Sequence, residues 1–155
     1  MKEFRKISVI GLGLIASSIC LTLRQKDPTI KLVGYDKDKV VRNRAKKIGL
    51  CNVESSLDNA VSGSQLIILC VPVGQMQAVT QRLKKIIEPG ITITDVGSVK
   101  LSVIEEIESN IESAGGRYVP SHPIAGTERS GPDAGYAGLF EGRWCILTPT
   151  KKTNK

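Results

Sequence analysis

A glycine pattern after the first apolar run constrains the fold of this sequence more than any other feature. Ile7 to Ile10 form that run, and Gly11, Gly13 and Ala16 follow it in the spacing G-x-G-x-x-G/A. This spacing predicts a strand, a tight turn and a helix start, with room for a pyrophosphate beside the second glycine. Unpaired N–H groups and the dipole at the helix start both favour an anion there. A plain strand-to-helix turn is the alternative.

The residues after the glycines favour a nucleotide-binding turn. A helical apolar stripe from Ala16 to Leu23 ends at Asp27-Pro28, and the next apolar run, Lys31 to Tyr35, ends at Asp36. An acidic side chain at that strand end accepts hydrogen bonds from the adenosine ribose and repels a 2′-phosphate, which favours NAD over NADP. Lys37 partly offsets that repulsion, so NADP remains an alternative. Asp36 is otherwise explained as the N-cap of the second helix.

Strand and helix patterns alternate along the rest of the chain. We predict strands over 50–53, 66–71, 91–94, 117–121 and 143–147, and helices over 39–48, 56–61, 76–86 and 101–111. Such alternation predicts a Rossmann-type, doubly wound α/β fold, with a mostly parallel sheet, helices on both faces and ligands at the carboxyl ends of the strands. Five residues fall at such ends and are expected to converge on one crevice: Gly11, Asp36, Pro72, Gly97 and His122.

Length and composition favour a single globular domain. The 155 residues suit a single domain over 1–150 with a frayed, disordered tail at 151–155. The net charge is +7, but Lys and Arg are dispersed and aromatic residues make up only 4%, so we expect no nucleic-acid partner. A solvated basic surface and attraction of an anionic ligand are the readings that remain. No signal peptide or long apolar run is present, which predicts a soluble cytoplasmic protein without a membrane partner.

The four cysteines do not form a recognisable set. Cys20, Cys51, Cys70 and Cys145 are scattered without C-x-x-C spacing, and three of them lie in apolar periodic segments. We therefore expect reduced core residues rather than a disulfide or a metal site.

The single histidine is the strongest candidate for acid–base chemistry. His122 stands between two prolines at a predicted strand end that faces the nicotinamide end of the crevice. A neutral imidazole there can accept a proton from a substrate hydroxyl as hydride leaves the same carbon, whereas a hydrogen-bonded structural histidine is the alternative. Ser98, at the neighbouring strand end, either orients the imidazole or caps the helix that begins near Val99.

A loop rich in small residues follows, from Ile124 to Gly142. Loops of this length in a compact domain are usually functional or disordered. Glu128 and Arg129 lie in it, either as site residues or as ordinary solvated surface.

Several motifs together resemble one family. G-L-G-L-I-A-S-S, V-G-Y-D, C-V-P-V, D-V-G-S-V-K, S-H-P-I-A-G-T-E and L-F-E-G-R-W-C-I-L-T-P occur in this order. The set resembles the nucleotide-binding domain of the prephenate dehydrogenase family, which includes arogenate and cyclohexadienyl dehydrogenases. The resemblance spans Lys6 to Pro149 and implies NAD(P)-dependent oxidative decarboxylation of prephenate to 4-hydroxyphenylpyruvate, or of arogenate to tyrosine, in tyrosine biosynthesis.

The resemblance also implies roles for individual residues. His122 accepts a hydrogen bond from the substrate ring hydroxyl, Ser98 interacts with His122, and Thr127 and Glu128 lie on the substrate side. The positions expected to contact the cofactor are Gly11, Gly13, Leu14, Ile15, Asp36, Lys37, Val71, Pro72, Val73 and Gly97.

Two departures from the family pattern matter. Ala16 stands where glycine is common, which the fingerprint tolerates. The family's helical dimerisation domain, with its arginine for the substrate carboxylate, is expected to be absent, so this chain should bind NAD but turn over poorly alone, and the longer family form should be a homodimer. The rival readings are another small-molecule dehydrogenase or imine reductase of this fold, and a non-enzymatic NAD-binding module.

Overall fold

A six-stranded parallel sheet is the centre of the computed structural model, which describes residues 4–153. Its strands are β1 (Lys6–Ile10), β2 (Lys31–Tyr35), β3 (Asn52–Val53), β4 (Leu66–Leu69), β5 (Thr92–Asp95) and β6 (Arg117–Val119). They lie in the order β3-β2-β1-β4-β5-β6, and every pair is parallel. The chain reverses direction across the sheet between β1 and β4, and doubly wound sheets bind ligands at such a switch point. The predicted Rossmann-type fold is confirmed.

Within residues 4–153, five α-helices cover the two faces of the sheet. They are α1 (Leu14–Lys26), α2 (Lys39–Lys47), α3 (Leu57–Val61), α4 (Val73–Leu83) and α5 (Lys100–Ser113). In β4, Ile67 and Leu69 belong to the buried cluster under α3, α4 and α5, whereas Ile68 belongs to the cluster under α1 and α2. Successive side chains of a strand point to opposite faces, so a continuous apolar run suits a strand that is covered on both sides.

The last two strands depart from the prediction. β7 (Ser121–Pro123) and β8 (Cys145–Leu147) form a separate antiparallel pair, in which His122 lies opposite Ile146. Residues 117–121 are therefore not one strand, and 143–147 does not extend the main sheet. The parallel ladder stops at Val119 because the next residue, Pro120, has no N–H to donate.

The long loop is packed against α1 in its second half. Two short 3-10 turns, Pro132–Ala134 and Ala137–Phe140, carry the contacts. At Gly135 between them, an added Cβ would lie 2.3 Å from Ser17 Cβ, so only glycine allows this close approach. Asp133 also pairs with Arg44 of α2. Of the two alternatives for this loop, functional or disordered, disorder is wrong for this part.

The described part of the predicted tail is attached to the domain. The Thr153 hydroxyl donates to the Tyr118 carbonyl at 3.1 Å, and the Lys152 ammonium lies 2.8 Å from a Glu112 carboxylate oxygen. The predicted fraying therefore does not apply to Lys152 and Thr153, while the last two residues lie outside the described residues.

The cysteines are unpaired in the structure, and they are not all core residues. Cys20 is buried, Cys51 and Cys70 are partly buried, and Cys145 is exposed on β8. The core assignment is therefore wrong for Cys145. Within residues 4–153, no group of three or more His, Cys, Asp or Glu side chains is placed to hold a metal ion. In the same part of the chain, every helix is too short or too polar to cross a bilayer.

Candidate functional site

The two glycines of the first turn differ in their surroundings. Gly11 has φ +90°, and an added Cβ would lie 2.8 Å from the Cys70 carbonyl carbon, so a side chain would clash with the end of β4. At Gly13 an added Cβ would meet nothing within 4 Å. Gly13 is also the N-cap of α1 and offers no side-chain hydrogen bond. The first N–H groups of α1 are thus left for a ligand or water.

Asp36 ties the end of β2 to the glycine turn. Its Oδ2 accepts the Leu12 N–H at 2.8 Å, and its Oδ1 accepts the Asp38 N–H at 2.9 Å. The N-cap of α2 is Asp38, whose side chain accepts the Val40 N–H. The alternative that Asp36 caps α2 is therefore wrong. A carboxylate has about four acceptor positions, so Asp36 keeps capacity for further donors such as ribose hydroxyls.

A cavity of about 490 Å³ lies at the carboxyl ends of β1, β2 and β4. Among the predicted cofactor positions, those that line it are Gly11, Gly13, Asp36, Lys37, Val71 and Pro72. Its size is in the ordinary range for small-ligand sites, about 300–1,000 Å³. The other predicted positions, Leu14, Ile15, Val73 and Gly97, do not line the cavity, and neither does His122. Of the five strand ends expected to converge, the structure brings Gly11, Asp36 and Pro72 together in this cavity.

Several residues around this cavity have no signal in the sequence motifs. Asp38, Val41, Gln75 and Val79, from α2 and α4 and their starts, also line it. They become neighbours of the glycine turn only because their helices begin at the same edge of the sheet.

Arg42 supports the same region from behind. Its guanidinium donates to the carbonyl of Asp36 at 2.6 Å and to that of Lys37 at 2.9 Å. It also lies 5.7 Å from the ring centroid of Tyr35, within cation–π range. Arg42 therefore fixes the backbone that follows β2.

His122 lies in the middle of β7 and is partly buried. Ser121 and Pro123 are buried and line a second cavity, so strand alternation places the imidazole on the opposite side. Within residues 4–153 the imidazole forms no hydrogen bond.

The other predicted substrate-side residues are exposed. The N-cap of α5 is Val99 and not Ser98, so the prediction that Ser98 caps this helix is wrong. In the described part of the chain Ser98 makes no hydrogen bond to His122. Thr127, Glu128 and Arg129 form an exposed turn, in which the Thr127 hydroxyl accepts the Arg129 N–H at 3.2 Å.

A buried polar cluster between β5 and β7 was not foreseen from the sequence. Asp95 is fully buried and pairs with the Lys100 ammonium. Its Oδ1 accepts the Tyr118 hydroxyl at 2.8 Å. Burial, together with the negative charge of Asp95, raises the pKa of Tyr118, so the phenol remains a donor. The motif D-V-G-S-V-K contained this pair, but only the fold shows that its ends meet β6 and β7.

The second cavity, of about 540 Å³, is an apolar groove between α1 and the β7–β8 pair. Phe4, Ile19, Leu23, Ile68, Phe140 and Trp144 are among its lining residues. Trp144 is 81% exposed at its rim. The groove shares no lining residue with the glycine-turn cavity, so the two are separate features of the surface.

Comparison with known proteins places this geometry in a family. The family model described as the prephenate dehydrogenase nucleotide-binding domain matches residues 19–155. Cyclohexadienyl dehydrogenase of Zymomonas mobilis is 42% identical over 154 residues, which are 99% of this chain and 52% of that protein. Prephenate dehydrogenase of Bacillus subtilis is 34% identical over 153 residues, 96% of this chain and 40% of that protein. The chain thus spans about half the length, or less, of these curated relatives.

Solved structures of similar proteins agree with this fold. Prephenate dehydrogenase from Aquifex aeolicus, in complex with hydroxyphenyl propionate and NAD+, has a TM-score of 0.89 at 30% identity, covering 99% of this chain and 53% of that one. Synechocystis arogenate dehydrogenase has a TM-score of 0.86 at 29% identity, covering 96% and 51%. An imine reductase from Pseudomonas, with a TM-score of 0.59 at 23% identity and coverage of 79% and 42%, shares the fold alone.

Proposed function

This chain belongs to the prephenate dehydrogenase family as a nucleotide-binding domain, and we propose that it binds NAD in the glycine-turn cavity for the oxidative decarboxylation of prephenate. The product is 4-hydroxyphenylpyruvate. The observation that carries this proposal is the open space at Gly13 in front of the uncapped start of α1, at the switch point of the sheet.

The residues present fit a dinucleotide. The free N–H groups at the start of α1 suit a pyrophosphate, and Gly13 leaves room for it. Asp36, held by two backbone amides, has acceptor capacity for the ribose hydroxyls. Its negative charge disfavours the 2′-phosphate of NADP. The positive charge of Lys37, which lines the same cavity, reduces this preference for NAD. NAD is therefore the cofactor we assign, with weaker use of NADP.

We assign to His122 the role of accepting the proton of the substrate hydroxyl. NAD, when bound, supplies the acceptor for the hydride of the substrate carbinol carbon. His122 accepts a hydrogen bond from the hydroxyl on that carbon and takes its proton as the carbonyl forms. Carbon dioxide then leaves, and the ring becomes aromatic as the carbonyl oxygen regains a proton. The partly buried imidazole, without a hydrogen-bond partner in the described part of the chain, is free for this role.

Ser98, Thr127 and Glu128 are proposed to lie on the substrate side. They are exposed, which leaves them accessible to a substrate that enters beside β7. The matched region covers 52% of the Zymomonas mobilis relative. The resemblance implies a helical domain outside that region with an arginine for the substrate carboxylate, so we propose that these 155 residues by themselves turn over slowly. Arogenate is the second candidate substrate, favoured by the relative named cyclohexadienyl dehydrogenase.

Replacement of His122 tests the proposed chemistry. In the enzyme that also carries the family's second domain, His122→Asn should reduce prephenate-dependent NADH formation by about 10²- to 10⁴-fold, because the substrate hydroxyl loses its proton acceptor. The NAD dissociation constant should stay unchanged, since His122 does not line the cavity. Gln81→Asn, exposed on α4, is the control for general effects of a substitution. Full activity of His122→Asn would remove His122 from the mechanism.

A further inference from the structure

An ion pair with a fully buried carboxylate and a partly buried ammonium holds the strand that carries the single histidine. Asp95, at the end of β5, is 0% exposed, and its carboxylate pairs with the Lys100 ammonium. The remaining acceptor positions are also used, by the Tyr118 hydroxyl at 2.8 Å, the Gly97 N–H at 2.8 Å and the Ser121 N–H at 3.2 Å. A carboxylate with this set of donors is well satisfied despite its burial.

The position of Lys100 is unusual for a purely stabilising residue. Lys100 is the first residue of α5, where the helix dipole is positive and a cation is disfavoured. A buried ion pair is also often no more stabilising than well-packed apolar residues of the same volume. Because both effects reduce the contribution of the pair to stability, we look for its role in the position of the neighbouring backbone.

Asp95 and Lys100 together hold the backbone of Ser121 through hydrogen bonds. The Ser121 N–H donates to Asp95 Oδ1, and its hydroxyl donates to the Asp95 carbonyl at 2.6 Å. The Lys100 ammonium donates to the Ser121 carbonyl at 2.7 Å. Every polar group of Ser121 is therefore bonded to one of these two residues.

Ser121 directly precedes His122, and β7 has left the parallel sheet at this point. The ladder partner of β7 is β8, whose three residues are all exposed. Ser121 therefore supplies the hydrogen bonds that join β7 to β5, where its hydroxyl also accepts the Thr94 hydroxyl at 3.0 Å. The same pair also closes the turn that carries Ser98, because Asp95 accepts the Gly97 N–H.

We propose that Asp95 and Lys100 are positioning residues, a buried ion pair that fixes the Ser98 turn and the His122 strand relative to each other and to the nucleotide-binding edge of the sheet. This inference rests on the proposed function for its catalytic meaning. The geometric claim itself is independent of NAD binding and of turnover, and it can be measured on this chain.

Because His122 is the only histidine, its ring protons give unique NMR signals. Lys100→Met removes the donor to the Ser121 carbonyl, and the Asp95→Asn/Lys100→Met pair removes both charges and avoids an unpaired buried carboxylate. In both variants we expect displaced and exchange-broadened His122 signals, with an NAD dissociation constant within about twofold of the original. Lys152→Met, which removes the surface pair with Glu112, is the matched control and should leave the His122 signals in place.

The outcomes separate the two proposals. Unchanged His122 signals in a folded double variant would overturn the positioning role, as would the same displacement in Lys152→Met. If Lys100→Met does not fold, the His122 signals of the Asp95→Asn/Lys100→Met variant test the positioning role by themselves. Absence of NAD binding by the unmodified chain would instead count against the proposed function, while the His122 signals would still test the ion pair.

Discussion

Gly11 and Gly13 stand two positions apart and have opposite physical reasons to be glycine. Gly11 needs a positive φ and a close approach to the Cys70 backbone. Gly13 has ordinary extended dihedral angles, φ −84° and ψ −163°, and faces open space. The first glycine is therefore required by the folded chain itself, and the second by what we propose binds beside it.

This difference predicts unequal effects on stability. Gly11→Ala should lower the free energy of unfolding by about 2–5 kcal/mol, because it adds both backbone strain and a clash with β4. Gly13→Ala should change it by less than about 1 kcal/mol. Urea unfolding of the two variants measures both values. Similar urea midpoints for the two variants would show that the close approach of Gly11 to the Cys70 backbone does not require a glycine.

Asp36 should determine the choice between the two nicotinamide dinucleotides. Asp36→Asn removes the negative charge while keeping an acceptor for the Leu12 N–H. We expect NAD affinity to fall by about tenfold, or about 1.4 kcal/mol, and the preference for NAD over NADP to narrow. Calorimetric titration with both nucleotides measures this.

Asp38→Asn is the matched control for that experiment. Asp38 lines the same cavity, and asparagine is an equally good N-cap for α2. An Asp38→Asn variant that changed the nucleotide preference as much as Asp36→Asn would assign the effect to net charge near the cavity and not to Asp36.

At the scale of elements, β6 is joined to β5 by a buried hydrogen bond that depends on pH. The pKa of Tyr118 is raised from its ordinary value of 10.0, chiefly by burial and also by the charge of Asp95. Because the folded state holds this proton more tightly, its stabilising effect is complete below about pH 10 and is lost as the pH rises further.

Tyr118→Phe should reveal this dependence. At neutral pH the variant should be less stable by about 1.5–3 kcal/mol, because the buried Asp95 carboxylate loses a donor. Above pH 10, the difference in unfolding free energy between the original chain and the variant should shrink, since only the original must release the Tyr118 proton on unfolding. Urea unfolding at several pH values measures the difference. A constant difference across pH 10 would contradict the raised pKa.

Most elements could be predicted from the sequence because their signals are local. The β1 turn, the alternation of apolar runs and the helix stripes each need only a few neighbouring residues. The β7–β8 pair was missed because apolar periodicity does not state which strand pairs with which. The docking of the long loop was missed for a related reason, since Gly135 meets Ser17 across more than a hundred residues of chain.

Only part of the candidate site could be predicted from the sequence, for the same reason. Gly11, Gly13, Asp36 and Pro72 follow strands directly, so their meeting at one edge follows from the parallel sheet. The Asp95 cluster joins residues from β5, α5, β6 and β7, and no spacing in the sequence encodes those contacts. The catalytic assignments of His122 and Ser98 stay predictions.

At the scale of the whole molecule, the chain presents two different surfaces. One edge of the sheet carries the glycine-turn cavity, with the charged Asp36, Lys37 and Asp38 in its lining, and the other side of α1 carries the apolar groove with Trp144 exposed at its rim. The basic net charge of +7 suits an anionic ligand at the first surface. Family membership and this division together place the nucleotide at the glycine turn in our account.

Calorimetric titration of this chain and of its Gly13→Val variant with NAD and NADP tests that placement most directly. The account predicts micromolar to sub-millimolar binding of NAD and weaker binding of NADP. Gly13→Val should remove NAD binding without loss of stability, because the added side chain fills open space that the nucleotide needs. Gly126→Val, which also enters open space but lies outside the cavity, should bind NAD normally. Undiminished NAD binding by Gly13→Val, or none by the original chain, would contradict the account.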